Sequence, residues 1–254
     1  MKMTENDLVN KRIGFVGFGN MAKALWGGFS TLGVIGLACD PNPTTTEGIS
    51  FLSLNELIDQ SEILFLCVKP QIFREMIFPV VSQPVVSIMA GVGLKELSQS
   101  FQTVIRLMPN TPMSVSEGMT AICYPPDLTS NSILEMLLLT CGRILHVEES
   151  WMDVVTAISG SGPAFLYRLA DIARLWAMDH GVPDRVATEL FAQTLVGAGK
   201  LLLQTPNPHL LIQQVTSPNG TTMAGLKAAD GSDLDGVWRG ILDATEQRSK
   251  ELSL

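Results

Sequence analysis

Basic side chains are scarce in this chain: 17 Lys and Arg stand against 25 Asp and Glu, for a formal net charge of -8. The cations are scattered, and neutralising a phosphate backbone needs a clustered basic face, so the composition argues against a sequence-independent grip on nucleic acid. Cysteine is as sparse. Cys39, Cys67, Cys123 and Cys141 show no close paired spacing and three lie within apolar runs, which implies neither disulfides nor a zinc site, but small core residues in a reducing compartment. No uninterrupted apolar run is long enough to span a bilayer, and the opening MKMTENDLVNKR lacks the apolar middle of a secretory signal, so the expected location is cytoplasmic, away from membranes. A small molecule is the expected partner.

Apolar residues, in contrast, make up 46% of the 254 positions, enough for the core of one large domain or two ordinary ones. Up to about Glu148, short β-rich runs (RIGFVGF, VIGLACD, EILFLCV, PVVSIMA, TVIRLM, GMTAICY and RILHVE) alternate with helix-length segments such as MAKALWGGFSTLG and SILEMLLLTCG. Strands apolar on both faces, separated by amphipathic helices, mark a mostly parallel sheet with helices on its faces, an α/β doubly wound plan. After Trp151 the strand pattern stops. Residues 153–181 and 183–204 read as two long helices, the first kinked at SGSGP and the second opened by Pro183 at a first-turn position. Their apolar residues cover too wide an arc for one buried stripe, so this half is expected to form the interface of a homo-oligomer. The expected division is 1–149 for a nucleotide-binding domain and 150–254 for a helical one. No repeat or low-complexity tract is present, and PNPTTT at 41–46 reads as a loop after a strand.

Gly17, Gly19 and Ala22 fit G-x-G-x-x-G/A after an apolar strand and at the opening of a helix, with Asp40 ending the next strand where a ribose contact is expected. Such a turn lets a pyrophosphate approach backbone N–H groups at a positive helix end. A dinucleotide is therefore the expected ligand. Between Ala24 and Val68 there is no Lys or Arg, and Asp40, where it points at the ribose, would repel a 2′-phosphate, which favours NADH; Asn42, Thr44, Thr45 and Thr46 offer neutral donors that favour NADPH instead.

Five further strings, FLCVKPQ (65–71), SIMAGV (87–92), RLMPNTPMSVSEGMTAI (106–122), DVVTAISGSGPAFLY (153–167) and VTSPNGTTMAGL (215–226), occur in order along the chain. Together with the glycine motif they resemble the pyrroline-5-carboxylate reductase family across nearly the whole length. That resemblance implies a Rossmann-type N-terminal domain, an all-helical C-terminal dimerisation domain, a homodimer or a ring of dimers, and reduction of 1-pyrroline-5-carboxylate to L-proline by NADPH or NADH. It implies that Gly17, Gly19, Asn20 and Met21 form the pyrophosphate turn. Cys67, Val68, Lys69 and Pro70 would pass the ribose and adenine side, with Ala90 and Asn110 nearer the nicotinamide.

Read by residue type alone, Ser217-Pro218 and Asn219-Gly220 are turn pairs and Thr221-Thr222 suit a helix start, which makes a seat for a carboxylate. The resemblance places the substrate carboxylate on the backbone of Gly220, Thr221 and Thr222, with Ser217 alongside, and the catalytic hydroxyl of Thr222 near the ring nitrogen. Ser159 and Ser161, in the kink, are candidates for supporting donors. Reducing a cyclic imine requires orientation, one proton and exclusion of water, and no His or Cys nucleophile; His146, His180 and His209 fall outside every motif. The chain departs from the family at Asn219, where a first glycine is usual; asparagine is the other residue that tolerates positive φ, so the turn is expected to survive. Two other readings compete: an imine or β-hydroxyacid reductase of the same plan, using a lysine such as Lys200, and a dinucleotide sensor without catalysis.

Overall fold

Eight short strands form one sheet in the computed structural model, which describes residues 4–128 and 130–252. In chain order they are β1 (Arg12–Val16), β2 (Ile35–Cys39), β3 (Ile49–Phe51), β4 (Ile63–Leu66), β5 (Val85–Ser87), β6 (Val104–Met108), β7 (Gly118–Cys123) and β8 (Gly142–His146). Their order across the sheet is β3-β2-β1-β4-β5-β6-β7-β8, parallel except where β6 meets β7. The direction of build reverses between β1 and β4, and the carboxyl end of that switch point is where open α/β sheets bind ligands. The three-residue β3 had no counterpart in the sequence reading, since ISF is too short to show a period.

The strand side chains feed two apolar layers. On one face Phe15 and Phe65 stack at 5.4 Å, with Phe29 of α1 (Asn20–Phe29) 5.5 Å from Phe65. On the other, Leu64, Leu66, Val85 and Val104 pack with Leu57 of α2 (Leu54–Gln60) and Phe73 of α3 (Pro70–Glu75). Each such fully buried side chain contributes roughly 1.5–3 kcal/mol from removal of apolar surface, so the sheet is a rigid platform. Helices α4 (Leu94–Leu97), α5 (Ser132–Leu139) and α6 (Met152–Val155) complete this part. Ser53 and Glu56 form a reciprocal capping box at the start of α2.

Two compact units result, Met1–Pro163 with Ala244–Leu254, and Ala164–Asp243. The chain therefore returns to its first unit at the end of α11 (Leu234–Glu251). There the hydroxyl of Ser249, 3% exposed, donates to Asp153 Oδ1 at 2.6 Å, and Arg74 donates to the carbonyl of Leu252 at 2.9 Å. Gly91, at φ +74°, lies so close to this end that a Cβ on it would fall 2.8 Å from the carbonyl oxygen of Ser249.

The kink expected at SGSGP takes the form of a π-helical turn, Thr156–Gly160, between α6 and α7 (Gly162–Asp179). Widened turns of this kind often mark functional positions. Then follow α8 (Asp184–Gln204), α9 (Pro208–Gln214) and α10 (Thr221–Gly231). Pro183 is the N-cap of α8, one position earlier than its expected first-turn place. Within the second unit Phe165 meets Trp238 edge-on at 6.2 Å. Trp176, Leu190 and Leu203 are nevertheless 63%, 62% and 57% exposed. By length and composition α8 is apolar enough to cross a bilayer, although Glu189 and Lys200 interrupt it.

Candidate cofactor and substrate sites

The expected cofactor residues gather at one edge of the sheet. Gly17 to Met21 follow β1, Asp40 follows β2, Cys67 to Pro70 follow β4, Ala90 follows β5 and Asn110 follows β6. These five strands are parallel neighbours, so their carboxyl ends open on the same side.

The turn after β1 is built from two glycines with different reasons to be glycine. Gly17 adopts φ +84°, donates its N–H to the carbonyl of Cys39 at 2.8 Å, and would carry a Cβ 3.0 Å from the carbonyl oxygen of Cys67. The chain itself demands a glycine there. Gly19 has negative φ, is the N-cap of α1, and a Cβ added to it would meet nothing within 4 Å. No internal contact demands this glycine; open space over a helix N-terminus without a side-chain cap suits a ligand that must approach the backbone closely. Gly19 and Asn20 are exposed and Met21 half-buried, so their amides face that space with Ala22 packed beneath.

After β4 the N–H of Cys67 joins the carbonyl of Val16 at 2.8 Å, which pins this segment beside the glycine turn. Burial pushes the Cys67 thiol well above the ordinary thiol range, so it is an inert wall. Lys69 is exposed and caps α3, with Pro70 at its first position. Asn110, only 9% exposed, accepts the N–H of Met119 at 2.9 Å and donates from Nδ2 to the hydroxyl of Ser159 at 3.4 Å. Ser159 thus supports Asn110 from the π turn, a contact that the sequence pattern could hint at only as a kink.

In the second unit, the stretch from Ser217 to Thr222 forms a tight turn leading into α10. Pro218 occupies the second position and Asn219, at φ +58°, the third, the arrangement of a type II turn, closed by the N–H of Gly220 on the carbonyl of Ser217 at 3.0 Å. A Cβ on Gly220 would meet Ser217 Oγ, so a side chain there would make that hydroxyl turn away, while Asn219 takes the left-handed conformation as expected. The amide of Gly220 is consumed inside the turn. Thr221 and Thr222 start α10 without a side-chain cap, and among the described residues neither hydroxyl makes a hydrogen bond. Their amides, at the positive end of an 11-residue helix, are placed for an anion.

Residues 149–252 match the family described as pyrroline-5-carboxylate reductase dimerisation, and residues 12–91 match NADP oxidoreductase coenzyme F420-dependent. A pyrroline-5-carboxylate reductase of Aquifex aeolicus is 33% identical over 261 residues, covering 96% of this chain and 98% of that one. The chain belongs to the pyrroline-5-carboxylate reductase family. The solved 1-pyrroline-5-carboxylate reductase of Streptococcus pyogenes superimposes with a TM-score of 0.86 at 27% identity, over 94% of this chain and 98% of that chain. The Plasmodium falciparum pyrroline carboxylate reductase, solved with NADP bound, shares the fold with a TM-score of 0.87 at 24% identity, over 97% and 100% of the two chains. The dimerisation match covers the exposed apolar positions of α7 and α8, and this member of the pyrroline-5-carboxylate reductase family is a homo-oligomer.

Proposed function

We propose that the backbone amides of Gly19, Asn20 and Met21 hold the pyrophosphate of NAD(P)H, with Gly17 shaping the turn and Asp40, Cys67, Val68, Lys69, Pro70, Ala90 and Asn110 lining the rest of its path. The observation that carries this reading is the empty space over Gly19, a glycine that nothing inside the chain requires. As a member of its family the chain reduces 1-pyrroline-5-carboxylate to L-proline, the last step of proline biosynthesis; the cofactor supplies the hydride. The second part of the proposal is that Thr221 and Thr222 receive the substrate carboxylate on their amides, helped by the Ser217–Gly220 turn. Thr222 then hydrogen-bonds the ring nitrogen and orients it, while Ser159 holds Asn110 in place. Lys200, the lysine a hydroxyacid reaction would use, is an exposed residue of α8.

The same reading assigns 1–149 to cofactor binding and 150–254 to substrate binding and dimerisation, in a cytoplasmic homodimer or ring of dimers. It is tested by proline-dependent reduction of NAD⁺ and NADP⁺ at high pH, alongside imine-dependent oxidation of the reduced cofactors. Cofactor binding without turnover of any cyclic imine would leave only the sensor reading.

A further inference from the structure

Asp40 stands where a dinucleotide-binding sheet commonly reads the ribose, yet its carboxylate is already engaged. Oδ2 accepts the N–H of Phe18 at 2.7 Å, and Oδ1 accepts the N–H of Asn42 at 2.8 Å. Phe18 lies between the two glycines of the turn after β1, so one side chain ties that turn to the loop after β2. Hydrogen bonds to an ionised acceptor are the strong ones, and each carboxylate oxygen accepts one here.

The far end of the same loop is held separately. Trp26 Nε1–H donates to the carbonyl of Glu47 at 2.9 Å, and Gly48, at φ +75°, lies against the indole so closely that a Cβ would fall 2.8 Å from Cζ2. Between these anchors Asn42, Thr44 and Thr45 are exposed. The loop is thus fixed at both ends and presents neutral hydrogen-bonding side chains in between. No Lys or Arg occurs from Ala24 to Val68.

We infer that Asp40 is a positioning residue for the adenosine end of the cofactor and does not read the ribose: it braces the glycine turn against the 41–47 loop, whose Asn42, Thr44 and Thr45 meet the 2′ position. The inference rests on the cofactor placement proposed above. Its consequence is that the choice between NADH and NADPH does not run through the Asp40 charge. Asparagine cannot replace the brace, because it has one acceptor oxygen and its NH₂ would face a backbone N–H.

The test is Asp40→Asn with both cofactors. The expected result is a rise in KM for NADH and NADPH together, by about five- to tenfold, with their kcat/KM ratio held within about twofold and kcat little changed. A ratio shifted tenfold or more toward NADPH would show that the carboxylate reads the ribose, and unchanged KM values would show that no brace is needed; either result overturns the inference. Should the variant fail to fold, amide hydrogen exchange on the cofactor-free wild-type protein decides: Phe18 is expected to be protected, and exchange at the unfolded-chain rate overturns the brace. A wild-type chain that binds neither cofactor would overturn the cofactor placement instead, leaving the exchange result to stand on its own.

Discussion

A Cβ on Gly17 would lie 2.9 Å from Cγ1 of Val68, so the turn after β1 and the segment after β4 are packed to backbone contact. A Cβ on Gly19, two residues on, would meet nothing within 4 Å. Alanine at the two positions should therefore fail in different ways. Gly17→Ala is expected to cost about 1–3 kcal/mol through positive φ and overlap, seen as a lower melting temperature. Gly19→Ala should melt like the wild type but lose about tenfold or more in NAD(P)H affinity, measured by quenching of nicotinamide fluorescence. Unaltered affinity in Gly19→Ala would remove the pyrophosphate cradle.

At the substrate turn, Asn219 already holds φ +58°. Asn219→Gly should leave KM for the imine unchanged, whereas Asn219→Ala should cost about 1 kcal/mol and raise that KM, because alanine resists the left-handed conformation. Thr222→Ala should lower kcat and leave cofactor affinity alone. Full turnover in Thr222→Ala would mean that the hydroxyl is only a helix-start residue.

The exposed Leu190 and Leu203 of α8 predict an assembly that charge can break. Leu190→Glu with Leu203→Glu is expected to shift the mass in light scattering toward the monomer at micromolar concentration, and to lower activity with it. A wild-type protein that is monomeric under these conditions would contradict the interface.

Ser249 and Asp153 join the last helix to the segment leaving the sheet, at 2.6 Å. Ser249→Val should cost about 1–3 kcal/mol, since it leaves a carboxylate with a lost partner beneath a packed helix end. Thermal melts would show it. Because Gly91 is pressed against the same helix end and follows Ala90, the variant should also raise KM for the cofactor.

Tyr124 gives a pH dependence with a definite sign. Burial first, and then its hydrogen bond to Glu135 at 2.8 Å, push the phenol above its ordinary 10.0, while the N–H of Asn131 pulls the other way. A pKa raised on folding means that the stabilisation is complete below about pH 10 and is lost as pH climbs toward the folded value. Tyr124→Phe should cost about 1 kcal/mol at neutral pH and flatten this part of the alkaline decline, as read from melting temperatures between about pH 8 and pH 11.

The sequence by itself determined the parts that depend on local pattern. Seven of the strands, the helix after Gly19, the break at SGSGP, the glycine turn and the tolerance of Asn219 for positive φ all follow from residue type and spacing, because backbone sterics and apolar periodicity act over a few residues. The strings running from FLCVKPQ to VTSPNGTTMAGL carried the resemblance to the family. What only the tertiary structure decided are the relations between distant residues. Strand β3 exists because Ile49–Phe51 pairs with β2, and three residues carry no period of their own. Asp40 turns onto Phe18, Ser159 onto Asn110 and Ser249 onto Asp153 across separations of 22, 49 and 96 residues. A polar side chain's partner is set by which backbone or side-chain polar group the packed core brings within hydrogen-bonding distance, and hydrogen bonding of that reach leaves no trace in the spacing of the residues themselves.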